Sequence, residues 1–235
     1  MKYSIVIPCY NESENLDNLI ETLKKVDYYH LAEFILVENG SKDNSRKFFE
    51  KSKKFDGVHF RKVYVDENQG YGYGLLQGLK EAKGKYVGWL HADLQVNPNY
   101  MNDLIQYIEN NDKNEKYFLK GKRKNRSLMD HFFTGGMTMF ETMLFRKRLN
   151  DIGAIPVLFN RELLDSFDKP PYDFSIELYS LYKAKCNKYK IKRFKVVLEK
   201  RKKGNSSWNK GFKSKIKQSK IIMKDSIQIK KGVYK

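Results

Sequence analysis

The chain contains few of the residues that mark secreted, membrane-spanning or multidomain proteins. Its 235 residues include two cysteines, Cys9 and Cys186, and five prolines. Two cysteines cannot build the disulfide framework of a small secreted domain. No apolar run approaches the roughly 20 residues needed to cross a bilayer, and no Pro/Gly/Ser-rich linker divides the chain. With an N-terminus that lacks signal-peptide features, these absences predict one cytosolic α/β domain.

Acidic residues are scarce in the last quarter of the chain. From Lys183 to Lys235 there are 20 lysines and arginines against Glu199 and Asp225, a balance of +18. The residues before Lys183 carry 26 basic and 26 acidic side chains, so the whole net charge of +18 lies in this last segment. Such a segment predicts an anionic partner, which could be phosphate, a membrane surface or nucleic acid.

Short apolar segments alternate with helical patterns in the first half of the chain. The pattern predicts strands at 3–7, 33–37, 58–65 and 86–90. Four βα units with short connections predict a doubly wound, mostly parallel sheet, in which ligands bind beyond the carboxyl ends of the strands. The polar turns that follow these strands should therefore converge at one edge. These turns are residues 8–12, 38–41, 68–74 and 91–95.

The second half is less regular. Its hydrophobic pattern predicts strands at 117–119 and 191–198 and helices at 130–149, 173–185 and 212–229. The last helix is basic, and it carries an apolar stripe formed by Phe212, Ile216, Met223 and Ile227 beside Lys213, Lys217, Lys220 and Lys224. At roughly 1 kcal/mol per basic residue, four lysines predict reversible attachment to an anionic membrane surface. The alternative is that the stripe packs on the domain while the lysines are solvated.

Residues 90–95 read Leu-His-Ala-Asp-Leu-Gln and directly follow an apolar strand. Asp93 and Gln95 place a carboxylate and an amide two residues apart at the end of that strand. Oxygen ligands of this kind hold Mg²⁺ or Mn²⁺ against substrate phosphates. The pattern therefore predicts an enzyme acting on a nucleotide-linked substrate, with Asp93 and Gln95 as metal ligands. The structural alternative is that Asp93 caps the turn before Pro98.

Four ordered motifs resemble the signature segments of family 2 glycosyltransferases. They are Pro8-Cys9-Tyr10-Asn11-Glu12, Glu38-Asn39-Gly40-Ser41, Asn68-Gln69-Gly70-Tyr71-Gly72 and His91-Ala92-Asp93-Leu94-Gln95. The resemblance is strongest to the polyprenyl-phosphate sugar transferase branch, which includes dolichol-phosphate mannose synthase. It continues to about residue 208 through Leu149-Asn150-Asp151-Ile152-Gly153, Pro156-Val157-Leu158-Phe159 and Arg201-Lys202-Lys203-Gly204-Asn205-Ser206.

The resemblance implies a GT-A fold, a nucleotide-sugar donor, a divalent metal and transfer with inversion. It also implies a GT-A domain over 1–208, with a donor half at about 1–112 and an acceptor half at about 113–208. Residues 209–235 then form a basic amphipathic C-terminal helix.

The resemblance further implies roles for individual residues. Asp93 acts at the metal, Asp151 lies near the acceptor, and Arg201 belongs to a loop that closes over donor or acceptor phosphate. The implied donor and cofactor contacts are Pro8, Tyr10, Glu12, Glu38, Asn39, Gly70, Gly72, His91, Ala92, Gln95 and Arg123.

Two positions depart from the branch pattern. His91 stands where the branch has an aspartate, so metal binding depends on Asp93 and Gln95, and Mn²⁺ is favoured over Mg²⁺ if the imidazole is a ligand. Glu38-Asn39 replaces a pair of aspartates, and Glu38 keeps a carboxylate that could accept a proton from the nucleobase.

Several of these residues also have structural interpretations. A histidine at a strand end, such as His91, is often a hydrogen-bonded structural residue. Glu12 is also explained as an acid in the first turn of a helix, where the helix dipole favours it. Arg201, in so basic a segment, is also explained as a solvated side chain. Asp173 and Glu177 lie four residues apart on one helix face and are interpreted as surface or scaffold acids.

The nature of the acceptor separates two enzyme hypotheses. A lipid phosphate is already anionic and needs no general base, whereas a sugar hydroxyl in surface polysaccharide assembly requires one, with Asp151 or Asp173 as the candidate. A third hypothesis is a catalytically weak nucleotide-sugar-binding domain. The favoured prediction is an inverting glycosyltransferase of cell envelope polysaccharide biosynthesis that acts on polyprenyl phosphate. It would associate peripherally with the inner face of the cell membrane, through its basic helix or a membrane-protein partner.

Two other functions are disfavoured. Binding of nucleic acid by the basic segment, with Trp208 stacking on bases, would leave the four motifs unexplained. A dinucleotide oxidoreductase is disfavoured further, because the first βα turn lacks the G-x-G-x-x-G pattern.

Overall fold

A computed structural model of the chain describes residues 1–111, 115–124, 139–147, 149–199 and 212–232, with side chains of the last segment from residue 220 onward. Within these residues, seven strands form one sheet with the order β3-β2-β1-β4-β6-β5-β7. In chain order they are β1 Tyr3–Cys9, β2 Ala32–Asn39, β3 Phe60–Val65, β4 Tyr86–Trp89, β5 Tyr117–Arg123, β6 Val157–Asn160 and β7 Lys190–Val196.

The first four strands are mutually parallel, as predicted. β1 pairs with β2 on one side and β4 on the other, and β2 pairs with β3. β6 is antiparallel to both of its neighbours, β4 and β5, while β5 and β7 are parallel to each other. The sequence analysis did not predict β6, because four consecutive apolar and polar residues without alternation do not distinguish a strand from a loop.

Helices cover both faces of the sheet. They are α1 Leu16–Leu23, α2 Ser45–Lys51, α3 Tyr71–Glu81, α4 Tyr100–Asn111, α5 at 139–145, α6 Ile176–Cys186 and α7 Phe212–Lys231. The helix predicted at 130–149 is described over 139–145, and residues 125–138 lie outside the described part. The predicted start of α6 was too early, since the Ser175 N–H donates to Asp173 Oδ1 at 2.8 Å in a turn that precedes the helix.

Strand β1 is buried on both faces, which explains its continuous apolar sequence. Ile5 and Ile7 belong to one core cluster with residues of α1 and α4. Val6 belongs to a second cluster, on the other face, with residues of α3 and α6. The sheet is therefore enclosed between two helical layers, and its strand ends are the places where polar groups reach the surface.

Helix α7 packs on the domain through a face that the apolar stripe did not predict. Ile229 joins the second core cluster, and Ser175 Oγ donates to Asp225 Oδ2 at 2.8 Å. Met223 and Ile227 point outward and are 36% and 40% exposed. The alternative in which these two stripe residues pack on the domain is therefore wrong; Phe212 and Ile216 lie outside the described side chains. Among the described residues, no helix combines the length and the apolar character needed to span a membrane.

Candidate active site

The turn after β1 is hydrogen-bonded to the turn after β2. The Asn11 N–H donates to Ser41 Oγ at 3.1 Å, and the Glu12 N–H donates to Ser45 Oγ at 3.0 Å. Asn11 adopts a positive φ of 54°, which asparagine tolerates better than most residues. Its side-chain Oδ1 accepts from the Lys42 N–H at 2.8 Å. Two motifs about 30 residues apart thus form one surface at the carboxyl edge of the sheet.

The turn after β3 joins the same edge through Asn39, a buried residue at the end of β2. Asn39 Nδ2 donates to the Gly70 carbonyl at 3.1 Å, and Asn68 Nδ2 donates to the Asn39 carbonyl at 2.8 Å. These bonds position the start of α3. They give Asn39 a structural role in addition to its predicted donor contact.

The motif glycines lie against protein backbone. Gly70 has a φ of +116°, and a Cβ at this position would come within 2.3 Å of the Tyr172 carbonyl oxygen. At Gly72, a Cβ would approach the Pro171 and Asp173 carbonyl oxygens to 2.5 and 2.6 Å. Backbone atoms of residues 171–173 therefore occupy the space that a side chain at either glycine would need. A donor contact through other atoms of these glycines stays a prediction.

The turn after β4 presents Asp93 and Gln95 at the same edge. Asp93 Oδ1 accepts from the Gln95 N–H at 3.1 Å, and no hydrogen bond from the described residues reaches Oδ2. Gln95 Nε2 donates to the Glu199 carbonyl at 3.2 Å, while the Glu199 N–H donates to the Gln95 carbonyl at 2.8 Å. The chain just before the Arg201 motif is thus held beside the predicted metal ligands; Arg201 lies outside the described residues.

His91 lies in an aromatic cluster. Its ring meets Tyr71 edge-on with centroids 5.4 Å apart, and it lies 6.3 Å from the ring of Phe174. Its neighbour Ala92 is buried. These contacts hold the imidazole against Tyr71 and Phe174, and a role of His91 as a metal ligand stays a prediction.

Glu38 is fully buried, and both of its oxygens already accept hydrogen bonds. Oε1 accepts from the Ser41 N–H at 2.7 Å, and Oε2 accepts from Arg46 Nη1 at 3.2 Å. A nucleobase contact would therefore use a carboxylate that two protein donors hold in place.

The remaining residues of the first motif differ in exposure. Pro8 lies inside β1, and Tyr10, just beyond the strand, is 40% exposed and accessible to a ligand. Glu12 is buried and accepts from Asn15 Nδ2 at 2.6 Å. This bond lies just ahead of α1, as expected for an acid that favours a helix N-terminus.

In the acceptor half, three cationic side chains donate to backbone carbonyls of residues 150–153. Asp151 lies in this segment with a positive φ of 52°. The contacts are Lys120 Nζ to Ile152 O at 2.6 Å, Arg123 Nη2 to Gly153 O, and Arg193 Nη2 to Asn150 O at 3.2 Å. The segment that carries the predicted acceptor residue is thus held by charged groups from β5 and β7.

Lys120 is fully buried, and so is Glu177, near the start of α6. Glu177 Oε1 accepts from Trp89 Nε1 at 2.8 Å and from Tyr71 Oη at 3.0 Å. Burial raises the pKa of Glu177, and the nearby Lys120 charge opposes this shift. Burial lowers the pKa of Lys120 to about 8, opposed by the Glu177 charge.

The sequence analysis did not select Lys120, and it considered Glu177 a surface or scaffold acid. The surface interpretation is wrong. The available signal was a lysine directly after the apolar residues Tyr117–Leu119 of β5, at a position where a buried side chain is expected.

The sheet order and the polar turns at its carboxyl edge define a GT-A glycosyltransferase fold, as solved structures confirm. Glucosyl-3-phosphoglycerate synthase from Mycobacterium tuberculosis, in complex with Mn²⁺, uridine diphosphate and glucosyl-3-phosphoglycerate, matches with a TM-score of 0.67 at 14% identity, over 99% of this chain and 80% of that one. S. aureus TarS 1-349 in complex with UDP-GlcNAc matches with a TM-score of 0.61 at 19% identity, over 97% of this chain and 67% of that one. At these identities the likeness establishes the fold alone.

The chain belongs to glycosyl transferase family 2, whose family model matches residues 4–164. It is 30% identical over 170 residues to undecaprenyl-phosphate 4-deoxy-4-formamido-L-arabinose transferase of Proteus mirabilis, covering 70% of this chain and 51% of that protein. It is 27% identical over 194 residues to dolichol-phosphate mannosyltransferase of Pyrococcus furiosus, covering 80% of this chain and 54% of that protein. Dodecaprenyl-phosphate galacturonate synthase of Rhizobium johnstonii is 30% identical over 132 residues, which cover 54% of this chain and 37% of that protein. The chain spans about half the length of the first two relatives.

Proposed function

We propose that this chain catalyses inverting transfer of a sugar from a nucleotide-sugar donor to a polyprenyl phosphate. The observation that carries the proposal is the convergence of the four motif turns at one sheet edge, where Asp93 presents an oxygen without a described hydrogen bond. The three named relatives support the choice of acceptor. Their names give different sugars, namely formamido-arabinose, galacturonate and mannose, but each gives a polyprenyl-type phosphate.

The donor edge has the ligand chemistry for a divalent cation. Among the described residues, no three His, Cys, Asp or Glu side chains form a metal-binding group. A cation bound by few protein ligands and by diphosphate oxygens is the usual arrangement for Mg²⁺ at phosphates, and Mn²⁺ accepts similar ligands. Asp93 Oδ2 and the Gln95 side-chain oxygen would hold such an ion. When bound, it would neutralise charge on the departing nucleoside diphosphate.

The acceptor half has the charge distribution that suits an anionic acceptor. Lys120, Arg123 and Arg193 surround the segment that carries Asp151, so cations outnumber acids there, even with Glu177 included. A phosphate oxygen attacks the anomeric carbon without first losing a proton, so no general base is needed. We propose that Arg123 and Arg201 contact acceptor or donor phosphate, since guanidinium groups form paired hydrogen bonds with phosphate.

We further propose that the outward face of α7 attaches the protein to the anionic cytoplasmic face of a membrane. Ile221, Met223 and Ile227 are 42%, 36% and 40% exposed. The exposed lysines on the same stretch are Lys220, Lys224, Lys230 and Lys231. A helix with apolar and basic side chains on its exposed faces suits the interface of an anionic bilayer. A membrane-protein partner would be an additional attachment.

A transfer assay tests the proposed reaction. The purified protein would be incubated with Mn²⁺, undecaprenyl phosphate and a panel of UDP- and GDP-sugars, with soluble glycans as alternative acceptors. We expect a glycolipid product and release of nucleoside diphosphate from at least one donor. Transfer to glycans alone would favour the hydroxyl-acceptor enzyme, with Asp151 or Asp173 as base. Nucleotide binding without turnover of any donor would favour the nucleotide-sugar-binding domain.

A further inference from the structure

A buried network links the donor edge to the acceptor segment in the described structure. Glu177 Oε1 accepts hydrogen bonds from two residues of the donor half. Trp89 is the last residue of β4 and lies four positions before Asp93, and Tyr71 is the first residue of α3. One carboxylate oxygen therefore contacts both the start of α3 and the end of β4, the strand from which the metal-binding turn emerges.

Tyr71 carries this constraint to the turn itself. Its ring packs on His91 and on Phe174, with both centroid distances at 5.4 Å. Burial of the Tyr71 hydroxyl raises its pKa, and the charges of Glu177 and Asp93 add to this shift. Displacement of the Tyr71 ring would therefore move the residues that precede Asp93.

The other end of the network is Lys120. Its Nζ donates to the Ile152 carbonyl at 2.6 Å, next to Asp151. The charged groups that act on Lys120 are Glu177, Arg193, Asp151 and Arg123, and those that act on Glu177 are Lys120 and Arg123. A buried lysine and a buried glutamate thus interact electrostatically within the acceptor half, and the hydrogen bonds of Glu177 with Trp89 and Tyr71 extend this pair to the donor half.

We infer, on the basis of the proposed function, that Glu177 and Lys120 are positioning residues that fix the metal-binding turn and the 150–153 segment relative to one another. Neither side chain is exposed, so neither is assigned a contact with substrate. Their effect is on geometry. A displacement of about 1 Å of reacting groups lowers turnover by up to about 100-fold.

Glu177→Gln is the primary test, with Lys120→Met and the double variant beside it. Glutamine keeps an oxygen that accepts from Trp89 and Tyr71 but removes the charge that faces Lys120. We expect kcat to fall roughly tenfold with the donor KM within about twofold of wild type. The double variant should regain part of the melting temperature lost in each single variant, since no buried charge is left without a partner. Its kcat should remain low, because the hydrogen bond from Lys120 to the Ile152 carbonyl is lost.

The pH profile separates positioning from a general structural defect. Lys120, with a pKa of about 8, should produce a fall in wild-type kcat above that pH. Glu177 raises this pKa, so in Glu177→Gln the fall should move to lower pH. The matched control is Glu141→Gln, which removes a different buried acid, 1% exposed and on α5, whose pKa burial raises to about 8. The control should keep the wild-type kcat and profile.

The inference is overturned if Glu177→Gln keeps the wild-type kcat and pH profile, or if Glu141→Gln changes them equally. If the wild type transfers no sugar, the proposed function fails separately. The positioning role of Glu177 and Lys120 is then tested by measuring the affinity of wild type and variants for UDP or GDP in the presence of Mn²⁺. Non-additive losses of affinity in the two single variants and the double variant support the coupling, and additive losses overturn it.

Discussion

The donor half and the acceptor half hold their functional segments by different means. In the donor half, hydrogen bonds between turns predominate, as in the bond from the Asn11 N–H to Ser41, and the buried Glu38 carboxylate is paired with Arg46. In the acceptor half, three cationic side chains, Lys120, Arg123 and Arg193, donate to the backbone carbonyls of one segment. The donor edge is thus set mainly by hydrogen bonds between turns, and the acceptor segment by cationic side chains that the sheet order brings together.

This difference predicts how each half responds to mutation. Neutral hydrogen bonds of this kind contribute about 1 kcal/mol each and can be lost singly without unfolding. A buried charge that loses its partner is more disruptive, because the remaining charge is left without water or a counter-charge. Variants in the donor half should therefore affect binding and chemistry, and variants in the acceptor half should also affect stability and pH dependence.

The largest effect is expected from Asp93→Ala, which tests whether the donor half carries the metal. Loss of this ligand should lower turnover roughly 100- to 1,000-fold, since a metal contributes several kcal/mol to charge stabilisation. The melting temperature should change little, because the described hydrogen bond of Asp93 is local to Gln95. Asp103→Ala, which removes an exposed acid from α4, serves as the control and should keep full activity. Full activity of Asp93→Ala would remove the metal role.

The next effect concerns the contact between the halves at Gly70. Gly70→Ala combines an unfavourable positive φ with a Cβ placed 2.3 Å from the Tyr172 carbonyl, so a loss of about 2–4 kcal/mol in unfolding free energy is expected. Gly57→Ala is the matched control, because Gly57 also has a positive φ but no atom within 4 Å of the added Cβ. Denaturant unfolding of both variants measures the difference. Equal losses would mean that the contact with residue 172 is not tight.

A smaller effect should distinguish the surface of α7 from the surface of the donor half. Lys220→Glu/Lys224→Glu on α7 should weaken binding to phosphatidylserine-containing vesicles at least tenfold, given roughly 1 kcal/mol per basic residue near an anionic surface. Lys51→Glu/Lys83→Glu makes the same charge change at exposed sites of the donor half. Vesicle flotation at low and physiological salt compares the pairs. Similar losses from both pairs would show that net charge, rather than α7, governs binding.

The smallest effect is a pH dependence of stability in the acceptor half. The pKa of Lys120 falls from 10.5 to about 8 on folding, so the unfolded chain binds the proton more tightly. The destabilisation is complete below pH 8 and disappears as pH rises toward 10.5. Wild type should therefore gain melting temperature relative to Lys120→Met between pH 7.5 and 9.5. Parallel curves for the two proteins would contradict the burial of a charged lysine.

The donor half was largely predictable from sequence because each turn directly follows a strand whose apolar character is visible. The convergence of the four turns required only that β1 to β4 be parallel, and they are. The Glu177 network was not predictable, because its members Tyr71, Trp89 and Lys120 come from three separate elements. Sequence spacing places Glu177 on a helix face, but which face is buried depends on how α6 packs.

The central claim is that a divalent cation and a nucleoside diphosphate bind together at Asp93. Crystals soaked with Mn²⁺ and either UDP or GDP would test it most directly through the anomalous signal of manganese. We expect a peak roughly 2.0 to 2.3 Å from an Asp93 carboxylate oxygen, between the distances typical of Mg²⁺ and Ca²⁺, with diphosphate oxygens completing the coordination. A nucleotide bound elsewhere, or diphosphate at this edge without manganese beside Asp93, would contradict it.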